Sequence, residues 1–141
     1  MRDERSYKTL SEIGIENKNV KVTADPALDL DIADEKLGKA ILKNEGVPSD
    51  KKLLGVSVRK WQNLGGDFET QIANACDYAY EKYGYYTVFL PMQSSRDTAI
   101  MQNIKRKMKH ESAIIKKRYS VEGMLSIIKC FDTVSYTHLR A

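Results

Sequence analysis

The sequence predicts an α/β fold of the Rossmann-like kind, a parallel sheet with helices on both faces. Three observations predict it. The first is Leu53-Leu54-Gly55-Val56-Ser57-Val58, a short apolar run closed by Arg59-Lys60. Such a run, bounded by turn signals, reads as a strand buried on both faces. The second is the strict alternation of strand and helix patterns from Leu53 to Val134 with short links, the pattern of parallel sheets joined by crossover helices. The third is Asn63-Leu64-Gly65-Gly66-Asp67, a glycine-rich link between that strand and a helical pattern, which completes the first half of a βα unit. Open parallel sheets bind ligands beyond the carboxyl ends of their strands, and Arg59 stands at such an end.

The elements follow in order. Asp3 to Ile13 reads as a helix, capped by Asp3 and ended by Gly14, with a thin apolar stripe of Leu10 and Ile13. Val20 to Ala24 is a strand candidate closed by Asp25-Pro26. Asp34 to Glu45 is a helix with Leu37, Ala40 and Ile41 inward, stopped by Gly46 and Pro48. After the Leu53–Val58 strand, Asp67 to Tyr83 is the strongest helix, with Phe68, Ile72, Cys76, Ala79 and Tyr83 at helical spacing. Gly84 ends it, and Tyr85 to Leu90, rich in aromatic and β-branched residues, is a strand that Pro91 breaks. Ser94 or Ser95 is expected to cap a helix reaching about Lys109, with Ile100, Ile104 and Met108 inward. Ser112 to Lys116 is a short strand, Val121 to Phe131 a helix, and Thr133-Val134 opens a further strand.

Composition narrows the class. At 141 residues, 42% hydrophobic and 30% charged, the chain has enough apolar material for one real core. The net charge of +4 is mild and gathers at Lys105–Lys109 and Lys116–Arg118. No aromatic residues interleave Lys105-Arg106-Lys107, so a solvated helix end that offsets the helix dipole explains that run better than nucleic acid, and no nucleic-acid partner is expected. Cys76 and Cys130 match no metal spacing and read as buried apolar residues in a reducing compartment. No apolar run is long enough to span a bilayer, and Met1-Arg2-Asp3-Glu4 lacks the apolar segment of a signal peptide. A cytoplasmic location is expected.

Sequence motifs for catalysis are sparse. There is no G-x-G-x-x-G, Walker loop, G-x-S-x-G or zinc spacing. Neither His110 nor His138 follows a strand end inside the sheet. The residues in ligand-binding positions are Arg2, Arg59 and the stretch Gln93-Ser94-Ser95-Arg96-Asp97, which leads into a helix N-terminus with backbone N–H groups suited to an anion. On physics alone, capping and solvated charge are the plainer account of that stretch.

Four segments in order carry a resemblance: Arg2-Asp3-Glu4-Arg5-Ser6, Val22-Thr23-Ala24-Asp25-Pro26-Ala27, Gly55-Val56-Ser57-Val58-Arg59 and Leu90-Pro91-Met92-Gln93. Together they resemble the polysaccharide pyruvyl transferase family, especially its bacterial cell-wall members, over Arg2 to Val134. The resemblance implies two Rossmann-like domains facing a cleft, a glycosyltransferase-B-like architecture. It implies transfer of a pyruvyl group from phosphoenolpyruvate to two hydroxyls of a sugar as a cyclic ketal, with no cofactor beyond that donor. Residues 1–28 would then be the remnant of the N-terminal domain, 29–34 a linker, 35–134 part of the C-terminal domain, and 135–141 a non-native tail. The family's Arg-Leu-His motif is expected after Val134, where Ser135-Tyr136-Thr137-His138-Leu139-Arg140-Ala141 stands instead, so the chain is expected to be an inactive fragment. Arg59, Arg2, Gln93 and Asp97 are the expected substrate-binding residues, with the catalytic residues unassigned. The expected acceptor is a cell-wall polysaccharide or lipid-linked sugar, the latter at the inner membrane surface. Two rival readings stay open: a nucleotide-sugar glycosyltransferase of the same fold, and a non-catalytic α/β binding domain.

Overall fold

The computed structural model describes residues 3–25, 30, 33–59 and 67–136, without the side chains of residues 94–96. The chain divides into two compact units, Met1–Ile32 and Ala33–Ala141. In the first, helix α1 (Glu4–Glu12) is capped by Asp3, whose carboxylate accepts the Ser6 N–H at 2.6 Å. None of its residues is buried. The strand predicted at Val20–Ala24 does not form, and residues 20–25 have no regular secondary structure. Alternating β-branched residues favour an extended chain, but a strand exists only as part of a ladder. No ladder among the described residues includes this stretch.

The second unit holds helix α2 (Glu35–Asn44), strand β1 (Lys52–Ser57), helix α3 (Phe68–Tyr83) and strand β2 (Tyr85–Phe89). Helix α4 (Ser94–Lys107), strand β3 (Ser112–Ile114), helix α5 (Val121–Lys129) and strand β4 (Thr133–Tyr136) complete it. The four strands form one parallel sheet in the order β3-β2-β1-β4. The predicted α/β class and the interior position of Leu53–Val58 are borne out. Gly65-Gly66 and His138 lie outside the described residues.

The alternation along each strand sorts the core into two layers. Leu53, Tyr86, Val88, Leu90, Ala113 and Ile115 face one side and pack with Ile41, Leu42 and Ile127 of α2 and α5. Leu54, Val56, Val58, Phe89 and Ile114 face the other and pack with Ala73, Cys76, Met101 and Ile104 of α3 and α4. Helices therefore cover both faces, as a run like β1 requires.

Some inward residues differ from the periodicity. Ala40 and Tyr83 are exposed, and Gly38, Leu42, Ala73 and Asp77 are buried in their helices instead. Gly38 is needed because α2 crosses α5 so closely that a Cβ there would overlap the Ser126 carbonyl and the Cys130 sulfur. Gly84 closes α3 in the left-handed conformation at φ 73°, as predicted. Helix α4 starts one residue earlier than the expected serine caps allow. Gln93 occupies the cap position without a side-chain bond, and Ser94 and Ser95 fall in the first turn. Asp97 of the first turn instead reaches back to accept the Gln93 N–H at 2.7 Å, which fixes the start of the helix directly after Gln93.

The Gly38 contact is against backbone that cannot rotate away. Gly38→Ala is expected to cost about 1–3 kcal/mol, the scale of overpacking a tight contact. Urea unfolding midpoints of the two proteins measure it.

Candidate functional site at the carboxyl edge of the sheet

From β1 the chain steps through β2 to β3 in one direction, with α3 and α4 on one face. It then returns through α5 on the other face and lays β4 against the opposite side of β1. The strand order thus reverses between β1 and β4, and open α/β sheets place a ligand crevice outside the carboxyl ends at such a point. Arg59 stands two residues past β1, at that crevice, with its side chain 49% exposed.

Asp97 faces it from the first turns of α4. Its Oδ1 lies 3.6 Å from the Arg59 Nε, an ion-pair contact slightly too long for a hydrogen bond, while Oδ2 accepts the Gln93 N–H. Asp97 is only 1% exposed. A buried carboxyl group needs partners for its oxygens, and here the Arg59 guanidinium and a backbone N–H stand against them. Of the four expected site residues, the structure brings Arg59, Gln93 and Asp97 together at one edge. Gln93 is exposed there, and Asp97 is buried behind it. Arg2 lies outside the described residues.

A second feature of this edge is an open groove of about 740 Å³ between the ends of β2 and β3 and the outer side of α5. Pro91, Met92 and Gln93 form one wall. The loop from Ile115 to Tyr119 brings Lys116, Lys117 and Arg118 to it. Sequence reasoning noted these cations as charge excess and gave them no role. The available signal was their position, a basic triplet directly after a strand.

Glu45, at the C-cap of α2, fixes that loop. Its carboxylate accepts the N–H of Lys116 at 2.9 Å, the N–H of Lys117 at 3.2 Å and the Tyr119 hydroxyl at 2.7 Å. Partial burial would raise the Glu45 carboxyl, but the Lys116 N–H, the Tyr119 hydroxyl and the Lys117 N–H outweigh it and hold the group below its usual range. Burial, with Glu45 beside it, pushes the Tyr119 hydroxyl up to about 12.

Other charged groups are committed to the fold. Lys105 donates to the Ser112 carbonyl, and Lys107 reaches Asp67 at 2.8 Å and Glu69 at 3.6 Å, tying α4 to the start of α3. Lys107 and the Thr70 donors bring the Asp67 carboxyl down to about 2. His110 stacks on Tyr80 and meets Glu81 at 3.2 Å, near the amino end of β3. Burial pushes the Cys76 thiol up to about 11, which makes it a poor nucleophile. Among the described residues no three metal-ligating side chains converge, and no helix is long and apolar enough to cross a membrane.

Residues 1–134 match the family model described as polysaccharide pyruvyl transferase. The chain belongs to that family. Membership implies a transferase with a polysaccharide acceptor. Neither the curated proteins nor the solved structures give a match. The family match ends within β4, which itself runs two residues further, to Tyr136.

Because the Glu45 carboxyl is lowered on folding, its contribution is full above its unfolded value near 4.5 and is lost as pH falls through the lower folded value. The 116–119 loop should therefore loosen on acidification in that window. Amide exchange at Lys116 and Lys117 is expected to speed up there, and Glu45→Gln to speed it at neutral pH and flatten the dependence.

Proposed function

We propose that this chain carries the donor-binding edge of an enzyme that transfers a pyruvyl group from phosphoenolpyruvate to a cell-wall polysaccharide sugar. Arg59, a half-exposed cation at the point where the strand order reverses, is the observation that carries this reading, together with the family match. Phosphoenolpyruvate puts a carboxylate and a phosphate on a very small body, so its recognition falls to cations and to N–H groups at helix starts. Arg59 supplies the charge, and the exposed Gln93 at the head of α4 supplies a neutral amide beside it. Asp97 is too buried to meet the donor and acts by holding the Arg59 guanidinium over the crevice.

The reaction fits such a site. Two sugar hydroxyls form bonds to the central carbon of phosphoenolpyruvate, whose bond to the phosphate oxygen breaks. One hydroxyl proton ends on the methylene carbon, making it a methyl, and the other leaves with inorganic phosphate. These are general acid–base steps. Arg59 would hold the donor during them, and neither histidine is assigned a part. His110 is engaged at the opposite edge, and His138 lies outside the described residues.

On this reading residues 1–28 belong to an N-terminal Rossmann-like domain and 35–134 to a C-terminal one, in a glycosyltransferase-B-like enzyme working in the cytoplasm. The division of contacts near residue 32 is compatible with that boundary.

Calorimetric titration of the chain with phosphoenolpyruvate and with uridine diphosphate tests the donor. Phosphoenolpyruvate should bind more tightly, and Arg59→Ala should weaken it by about 1.5–3 kcal/mol, the scale of a hydrogen bond to a charged group. Tighter uridine diphosphate binding would favour a nucleotide-sugar glycosyltransferase instead. Unchanged phosphoenolpyruvate affinity in the variant would remove Arg59 from the site.

A further inference from the structure

The amino edge of the sheet, opposite the donor crevice, carries an exposed aromatic cluster that the core does not use. Tyr78 and Tyr83, on the last turns of α3, are 53% and 54% exposed. Their ring centres lie 6.2 Å apart and the ring planes stand at 82°. Tyr85, the first residue of β2, continues the cluster with its ring 6.4 Å from that of Tyr83, and it packs against the margin of the core. Lys82 is held among the rings. Its Nζ donates to the Tyr78 hydroxyl at 2.6 Å and stands 5.4 Å from the Tyr83 ring centre. The register of β1 with β2 sets Lys52 beside Tyr85, and Lys52 shares a strand face with Leu54, the face that packs on α3.

The chemistry of the patch narrows its occupant. The other exposed large hydrophobic residues described in this unit, Met92, Val121, Val134 and Tyr136, lie at the carboxyl edge or on β4, so no large aliphatic side chain adjoins the rings. The core of a protein interface is a wider apolar area than this. Near-perpendicular rings also leave no slot for a flat base. A pyranose ring fits better: one face presents C–H groups to the negative face of an aromatic ring, and its hydroxyls meet phenol and ammonium groups at the rim. Among the described residues neither Lys82 nor Lys52 pairs with a carboxylate, and neighbouring Glu81 is engaged with His110. The two cations therefore favour a ligand with negative charge. Tyrosine rings have few rotamers and Lys82 is already held, so little freedom is lost on binding.

We propose that this patch binds an acidic glycan, with pyranose rings on Tyr78 and Tyr83 and sugar carboxylates on Lys82 and Lys52. The source of the acid rests on the reaction proposed above, in which each transfer leaves the pyruvyl carboxylate on the sugar. The acceptor gains that carboxylate only by reacting, and the donor has no pyranose ring, so the patch favours modified polymer over either substrate. It shares no residue with the crevice or with the groove beside it. It lies the length of β1 away from Arg59, about 20 Å at roughly 3.3 Å per residue. Finished repeats can thus be retained at one edge of the sheet while the other edge works on a further one.

Titration of the chain with an oligosaccharide bearing a pyruvyl ketal, and with the same oligosaccharide after mild acid has removed the ketal, tests the proposal. The pyruvylated form should bind about tenfold more tightly, the scale of a charge-assisted contact. Oligogalacturonate should likewise exceed a neutral galactose oligomer of equal length, a comparison that does not depend on the reaction. Tyr83→Ala, at an exposed position, should weaken both members of each pair severalfold. Lys82→Gln combined with Lys52→Gln should bring the pyruvylated form down to the level of the stripped one. Arg59→Ala should leave glycan binding unchanged, and Tyr83→Ala should leave phosphoenolpyruvate binding unchanged, so a failed donor site and a failed glycan patch read differently. Equal binding within either pair, or indifference to both the Tyr83 and the lysine variants, overturns the proposal. So does loss of glycan binding in Arg59→Ala, which would put the sugar in the crevice, or sedimentation showing that Tyr83→Ala breaks a dimer of the chain.

Discussion

The site depends on a strand that is enclosed on every side. β1 is hydrogen-bonded to β2 along one edge and to β4 along the other. Its side chains enter both core layers, Leu53 on one face and Leu54, Val56 and Val58 on the other. A backbone buried this completely must have its N–H and C=O groups paired within the protein, so β1 cannot slide or tilt without breaking two ladders. Asp132 secures its start as well: its carboxylate accepts the Leu53 N–H at 2.8 Å, and its own N–H donates to the Leu53 carbonyl. Gly55 extends the constraint to the chain after α5, because the Phe131 ring lies directly over it. The direction in which the chain leaves β1 is thereby set, and Arg59 is the residue that leaves.

Around this strand the loops are shaped by carboxylates that bind backbone N–H groups. Asp97 holds the Gln93 N–H at the head of α4. Buried Asp77 accepts the N–H groups of Lys109 and His110 and shapes the turn into β3. Glu45 does the same for Lys116 and Lys117 after β3. A charged acceptor on an N–H contributes more than a neutral one and has a directional preference that a surface ion pair lacks. The exposed Lys39–Glu35 pair on α2 is by comparison worth little. Two of the three loops, those of Asp97 and Glu45, lie at the carboxyl edge, so the same device that shapes the fold also presents Gln93 and the Lys116–Arg118 triplet.

Much of this was legible in the residues. The apolar run at Leu53, the cap at Asp67 and the stop at Gly84 are local signals with local physical causes, and they placed β1 and α3 within a residue. The Val20–Ala24 strand misled because β-branched alternation reports only that a chain is willing to be extended. A ladder needs a neighbour that local sequence does not reveal. Tyr83 and Ala40 misled because helical spacing identifies a stripe without its centre: in α2 the tight crossing with α5 moved that centre to Gly38, and in α3 it lies at Ala73, Cys76 and Asp77. The edge itself was legible through Arg59 and Gln93. The Glu45 anchor was not, since it joins residues about 70 positions apart through backbone N–H groups that carry no sequence signature.

The central claim is that the donor meets this chain where β1 ends. Backbone amide shifts of the isotope-labelled chain, followed as phosphoenolpyruvate is added, test it most directly. The account predicts the largest changes at Val58 and Arg59, at Ser135 and Tyr136 beside them on β4, and at Gln93, with the amides of Tyr85 and Glu111 at the amino edge unmoved. Largest changes at that amino edge, or in α1, would contradict it.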